Sequence, residues 1–283
     1  MSGTLTRRSA LAAGAAVSLT GTTRLGPQRI VSLNPCLDAI LVHVADRDQI
    51  TALSHYSHSL ASSSLGELGL SYPFTYGTAE EVLALVPDLV LSGRLVAPAT
   101  QAALTRLGIP MALFGAPDSL SASLAQVTEV ARIVRRPTRG TALEARILAA
   151  IEAAKPAPGS HRLTALIYQS GGFAVARGTL MDEMMTLAGF ENAASRYGLA
   201  RTGNVPLENL IADPPDLLLA AQGEPGQPTW ADRVLTHPAL SKVAHRMHRV
   251  VFPQQLTFCG GPVLIATAAM LARARVETLA ARR

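Results

Sequence analysis

Short apolar runs alternate with amphipathic stretches along this chain, and the alternation predicts strands and helices in turn. Arg29–Leu33, Ile50–Ser54, Asp88–Ser92 and Ile109–Phe114 read as four strands of a first half. Leu163–Tyr168, Asp216–Ala221 and Arg249–Phe252 read as strands of a second. Asn34-Pro35 marks a loop after the first strand. Between the halves, Leu124, Val127, Ala131 and Val134 fall on one helical face, and Ser119 or Ser121 can cap that helix. Pro137 interrupts it. Leu143, Ile147 and Ile151 then mark a second helix from about Thr138 to Ala154, which would span about 25 Å and can bridge two lobes. Thr179–Ala188 predicts a helix closed by Gly189, a residue that accepts positive φ. Pro262–Ala281 predicts a terminal helix.

One pattern occurs twice. Glu80–Leu91 and Glu208–Leu219 each hold a glutamate, a Pro-Asp pair seven and eight residues later, and an apolar run. Proline disfavours helix in the residue before it, so each unit predicts a short helix that stops, turns and enters a buried strand. Two such units predict two lobes of similar α/β design.

Composition narrows the class. Hydrophobic residues make up 48 % and charged residues 16 %, which suits a well-cored globular protein. Aromatics are only 4 %, so the core is built from Leu, Val and Ala. Thr6-Arg7-Arg8-Ser9-Ala10-Leu11 followed by a mildly apolar run to Leu19 predicts an export signal over residues 1–27, resembling a twin-arginine signal and too short to span a membrane. Ala10 and the lack of a clean A-x-A site depart from that pattern. Cys36 lies too far on for a lipid anchor. Arg7, Arg8 and Arg24 would leave with the signal, which removes much of the net charge of +5. No Lys/Arg cluster interleaved with aromatics is present to grip nucleic acid.

Ligands of open α/β sheets bind beyond the carboxyl ends of strands. The candidates there are Asn34, Pro35 and Cys36; His55, Tyr56 and His58; Arg94; Gln169 and Phe173; Trp230; and Phe258 and Cys259. His55 and His58 can ligate a metal or be solvated surface residues. Arg94 can pair with a carboxylate. Cys36 and Cys259 leave three readings open: a disulfide that clamps the lobes, two free thiols, or soft metal ligands. No Ser-His-Asp constellation or nucleophile elbow is evident, so the expectation is binding without catalysis and without a cofactor. The alternative is a metalloenzyme or free-metal-ion carrier using the His and Cys residues.

The chain resembles the helical-backbone periplasmic binding proteins, the class that serves vitamin B12, ferric siderophores and haem. The likeness covers about residues 28 to 280. It is carried by Arg29–Leu33, Glu80–Leu91, Leu107-Gly108-Ile109-Pro110, Leu187–Asn192 and Glu208–Leu219 in that order. It implies two Rossmann-like lobes, 28–136 and 159–283, joined by a linking helix within 137–158. It also implies a periplasmic monomer that delivers an iron chelate or corrinoid to an ABC importer permease dimer with its ATPase. In the family one exposed glutamate per lobe docks onto the permease, and the matching positions are Glu80 and Glu208, with Glu81 competing for the first. In its vitamin B12 binders an aromatic residue packs on the ligand at the position of Tyr56.

Overall fold

The structure, a computed structural model, describes residues 26–169, 172–200, 202–221 and 236–282. Nearly all of the expected export signal lies outside these residues, and so does Trp230.

Two sheets organise the chain. In the first, β1 (Ile30–Ser32), β2 (Ile50–Ser54), β3 (Phe74–Thr75), β4 (Leu89–Gly93) and β5 (Met111–Phe114) run parallel in the order β3-β2-β1-β4-β5. The second holds β6 (Leu163–Tyr168), β7 (Phe173–Ala174), β8 (Phe190–Asn192), β9 (Gly203–Asn204), β10 (Leu217–Ala220) and β11 (His248–Val251). Its order is β11-β10-β6-β7-β9, with β8 beside the opposite end of β6. Unlike the first sheet it is mixed, because β7 runs antiparallel to both neighbours.

Among the described residues the α-helices are α1 (Pro35–Val44), α2 (Glu67–Leu70), α3 (Ala79–Ala84), α4 (Pro98–Arg106), α5 (Leu120–Ile133), α6 (Pro137–Ala154), α7 (Leu180–Leu187), α8 (Leu207–Ala212), α9 (Pro238–Ser241) and α10 (Val263–Ala281). Alternate strand residues face different cores. Leu89 and Leu91 of β4 turn toward a core shared by both lobes, while Val90 turns outward. Leu217 and Leu219 of β10 do the same, with Leu218 and Ala220 facing out. Central strands buried on both faces therefore read as unbroken apolar runs. The shared core contains Ile40 of α1, Val127 of α5, Ile147 of α6, Met184 of α7 and Leu271 of α10. Val82 and Leu104 cover the outer face of the first sheet, and Leu210 and Leu240 that of the second. Because α6 packs on α1, α5, α7 and α10, the linking helix is anchored in both lobes.

The repeated Pro-Asp pairs serve equivalent ends. The Asp88 carboxylate accepts the backbone N–H groups of Gln28 (2.7 Å) and Arg29 (3.0 Å) where β1 begins. Asp216 accepts the N–H of Thr164 (2.7 Å) at the matching start of β6. Each aspartate thus ties the strand it opens to the central strand beside it.

Pro35, expected in a loop, is instead the first residue of α1. Its fixed φ suits a helix start and its missing N–H is not needed there. Ser119 rather than Ser121 caps α5, and Pro137 opens α6.

The lobes approach closely at Gly260-Gly261. Gly261 has φ +72°, and a Cβ there would lie 2.8 Å from Ile40 Cγ1. Gly261→Val is expected to cost about 1–2 kcal/mol for the left-handed backbone and about 1–3 kcal/mol for overpacking. The melting temperature should fall by roughly 5 °C or more. An unchanged melting curve would show that the seam has slack.

Candidate ligand-binding site

Five aromatic side chains among the described residues are strongly exposed: Tyr56, Phe74, Tyr76, Phe173 and Phe258, at 41–66 %. All lie at the carboxyl ends of the parallel strands or in the segments around them. Scattered exposed apolar residues need no explanation, but a concentration at one end of both sheets does. On the first lobe the segment after β2 forms a short 3-10 turn, His55–His58. The His55 ring lies 4.0 Å from Tyr56 and stacks on Tyr76 at 5.1 Å, and Phe74 meets Tyr76 edge-on at 5.5 Å. These rings form a continuous aromatic surface.

Two carboxylates fix that surface from behind. Glu81 accepts the hydroxyl of Thr75 (2.6 Å) and the N–H of Tyr76 (2.7 Å). The Thr75 hydrogen bond, ahead of those from the backbone, holds its carboxyl below the usual range. Asp38 of α1 is fully buried and accepts both the N–H and the hydroxyl of Ser54, the residue just before His55. Burial pushes the Asp38 carboxyl up to about 7, with the Ser32 and Ser54 hydrogen bonds pulling the other way.

A cavity of about 300 Å³ lies between the lobes. Ala116, Pro117 and Asp118 form its wall on the first lobe, and Gln169, Met181, Thr202, Phe258 and Cys259 are among its lining on the second. Gln169 donates to the Thr257 hydroxyl at 2.9 Å, which fixes that wall.

Cys36 and Cys259 form a disulfide with Cα atoms 5.2 Å apart. This decides among the three readings left open by the sequence. Asn34 accepts the N–H groups of Cys36 (2.9 Å) and Leu37 (3.3 Å), so the cap of α1 sets the position of Cys36. The disulfide also corrects the proposed His/Cys metal set, since bonded sulfurs offer no thiolate. Nε2 of His58 is within 2.9 Å of the Tyr72 carbonyl, which fixes the ring against its own lobe. Among the described residues no group of three or more His, Cys, Asp or Glu is placed to hold a metal ion.

The remaining candidates are dispersed. Arg94 is exposed after β4, and its guanidinium has no partner among the described residues. Glu80 and Glu208 are the second residues of α3 and α8, both exposed and both unpaired. Glu81, by contrast, is consumed by the Thr75–Tyr76 turn, which leaves Glu80 as the outward acid of the first unit. Sequence reading missed Phe74, Tyr76, Asp118 and the Thr179–Met181 wall. The two-residue β3 gives too short an alternation to reveal the first pair.

A family model described as periplasmic binding protein matches residues 30–252. A cobalamin-binding protein of Halobacterium salinarum is 25 % identical over 199 residues, covering 68 % of this chain and 53 % of its own length. The chain thus spans about half the length of the curated relatives it matches. Among solved structures, the periplasmic heme-binding protein RhuT of Roseiflexus sp. RS-1 superposes with a TM-score of 0.68 at 24 % identity, over 91 % of this chain and all of that one. A periplasmic heme-binding protein of Pseudomonas aeruginosa gives 0.67 at 23 %, over 88 % and 92 %. At these identities the two structures establish the fold.

Proposed function

This chain belongs to the periplasmic binding protein family, and from that premise we propose that it is the solute-binding component of an ABC importer, holding a metal chelate between its lobes and handing it to a permease. Within the class of corrinoid, haem and ferric siderophore, the site favours a planar macrocycle. The observation that carries this is the gathering of the exposed aromatic side chains, in an aromatic-poor chain, at the carboxyl-end segments of both sheets. Flat apolar faces with polar tips suit the edge and face of a macrocycle. Arg94, exposed and unpaired at the same end, is suited to a peripheral carboxylate of such a ligand. The relatives that bind heme and cobalamin support the same class.

The site residues then have distinct roles. Tyr56, Tyr76 and Phe258 contact the ligand, with His55 and Phe173 flanking it and His58 buttressing Phe74. Asn34 and Pro35 shape the wall through α1. Glu80 and Glu208 face the permease. The protein acts as a monomer, binds without catalysis and works outside the cytoplasm. The Cys36–Cys259 disulfide supports that location, because such bonds persist in oxidising compartments.

A ligand that binds only the folded state raises the melting temperature. Cyanocobalamin, haemin and a ferric hydroxamate siderophore are the panel, and at least one macrocycle is expected to give a saturable rise. Tyr56→Ala with Tyr76→Ala should weaken that ligand about ten- to hundredfold, since each aromatic contact is worth about 0.5–1.5 kcal/mol. No response to any of the three would remove the proposal.

A further inference from the structure

The Cys36–Cys259 disulfide joins residues 223 apart in sequence, one on each lobe. Cys259 lines the interlobe cavity, and Cys36 follows the cap of α1 at the end of β1, the central strand of the first sheet. Two hydrogen bonds cross the same seam. The N–H of Gly261 donates to the Ser123 hydroxyl at 2.7 Å, and the N–H of Leu120, first in α5, donates to the Glu183 carboxylate at 2.7 Å. The lobes are therefore tied twice by covalent chain: once through α6 and once at the cavity wall. The helix limits how the lobes pivot. The disulfide joins Cys259, on the cavity lining, to Cys36 at the start of α1, packed against the core that both lobes share.

We infer that this disulfide is a positioning element for ligand capture: oxidised, it holds the two cavity walls at binding distance, and reduced, it lets the gap loosen and the ligand leave. The inference rests on the cavity being the ligand site. The reductant is a dithiol. Its thiolate attacks one sulfur of the Cys36–Cys259 bond, its second thiol displaces the mixed disulfide, and two electrons and two protons end on Cys36 and Cys259 as the dithiol closes its own disulfide. Cys36 is partly buried and Cys259 buried, so attack is assigned to the Cys36 sulfur.

The test uses the full chain in three forms: oxidised parent, parent treated with dithiothreitol, and the double variant Cys36→Ser with Cys259→Ser. Hydrogen exchange is read at the Leu120 and Gly261 amides and, as controls, at Leu91 and Leu219 in the central strands. The seam amides should exchange about tenfold faster in both unbridged forms while the strand amides hold. Affinity for haemin or cyanocobalamin should fall about tenfold in the same forms. Unchanged seam exchange overturns the inference. So does an equal rise at all four amides, the signature of a general stabiliser, and so does unaltered affinity of a macrocycle that binds. If neither macrocycle binds any form, the transport reading fails for these ligands, and the exchange arm still decides whether the disulfide sets the gap.

Discussion

Reversing charge at both Glu80 and Glu208 is expected to abolish ligand uptake while leaving ligand affinity and folding intact. The two carboxylates hold the same place in the repeated helix–strand unit, at the second position of α3 and α8, exposed and without partners. An exposed ion pair contributes only about 0–1 kcal/mol alone. Two pairs engaged together on a two-fold permease gain from effective concentration, because the second contact forms within an assembled complex. Either single reversal should therefore reduce uptake in part, and Glu80→Arg with Glu208→Arg should eliminate it. Loss of favourable interaction with the helix dipoles costs about 0.3–1 kcal/mol per site, so the fold survives. Uptake of labelled ligand, measured beside affinity and melting temperature, checks this. Undiminished uptake by the double variant would remove the docking role. Glu81→Gln serves as the contrast: it should disturb the Tyr76 turn and ligand affinity, not docking.

Asp38→Asn is expected to stabilise the protein above neutral pH. The Asp38 carboxyl titrates near 7 in the folded chain against 3.8 as its ordinary value, because burial disfavours the charge. The folded state therefore keeps a proton that the unfolded state releases between about pH 4 and pH 7. Stability from this group is fully present below about pH 4 and declines as pH rises through 7, by an amount on the order of 4 kcal/mol. Asparagine mimics the protonated acid without the ionisation. At pH 8 the variant should melt roughly 5–10 °C above the parent, and at pH 4 the two should nearly coincide. Asp46 works in the opposite sense. The Arg136 hydrogen bond holds its carboxyl low, so its contribution is lost only as pH falls below about 4, outside this window. Parallel pH profiles for parent and variant would show that Asp38 is ionised in the fold at no cost.

Some of this architecture is legible in the chain because physics leaves a local trace. The Pro-Asp repeat, the apolar runs of β4 and β10, the Ile147–Ile151 spacing of α6 and the Gly189 stop all follow from residues close in sequence. The helix α1 is not legible in the same way. It buries Leu37, Asp38, Ala39, Ile40, Leu41 and Val44, so it shows little polar face and weak periodicity. The antiparallel β7 and β9 are two residues each, too short to establish a period. For the site, Tyr56 and Phe258 could be placed near strand ends by topology. Whether Cys36 meets Cys259 could not, since pairing depends on Cα separation and direction that spacing does not encode. Tyr76 stacks on His55 in a turn whose N–H Glu81 accepts, a contact made by folding.

A crystal structure of the protein with the macrocycle that raises its melting temperature most tests the central claim directly. The ligand is predicted to lie between the sheets, in contact with Tyr56 or Tyr76 on one lobe and Phe258 on the other. A ligand seated on one lobe alone, or away from the strand ends, would contradict it.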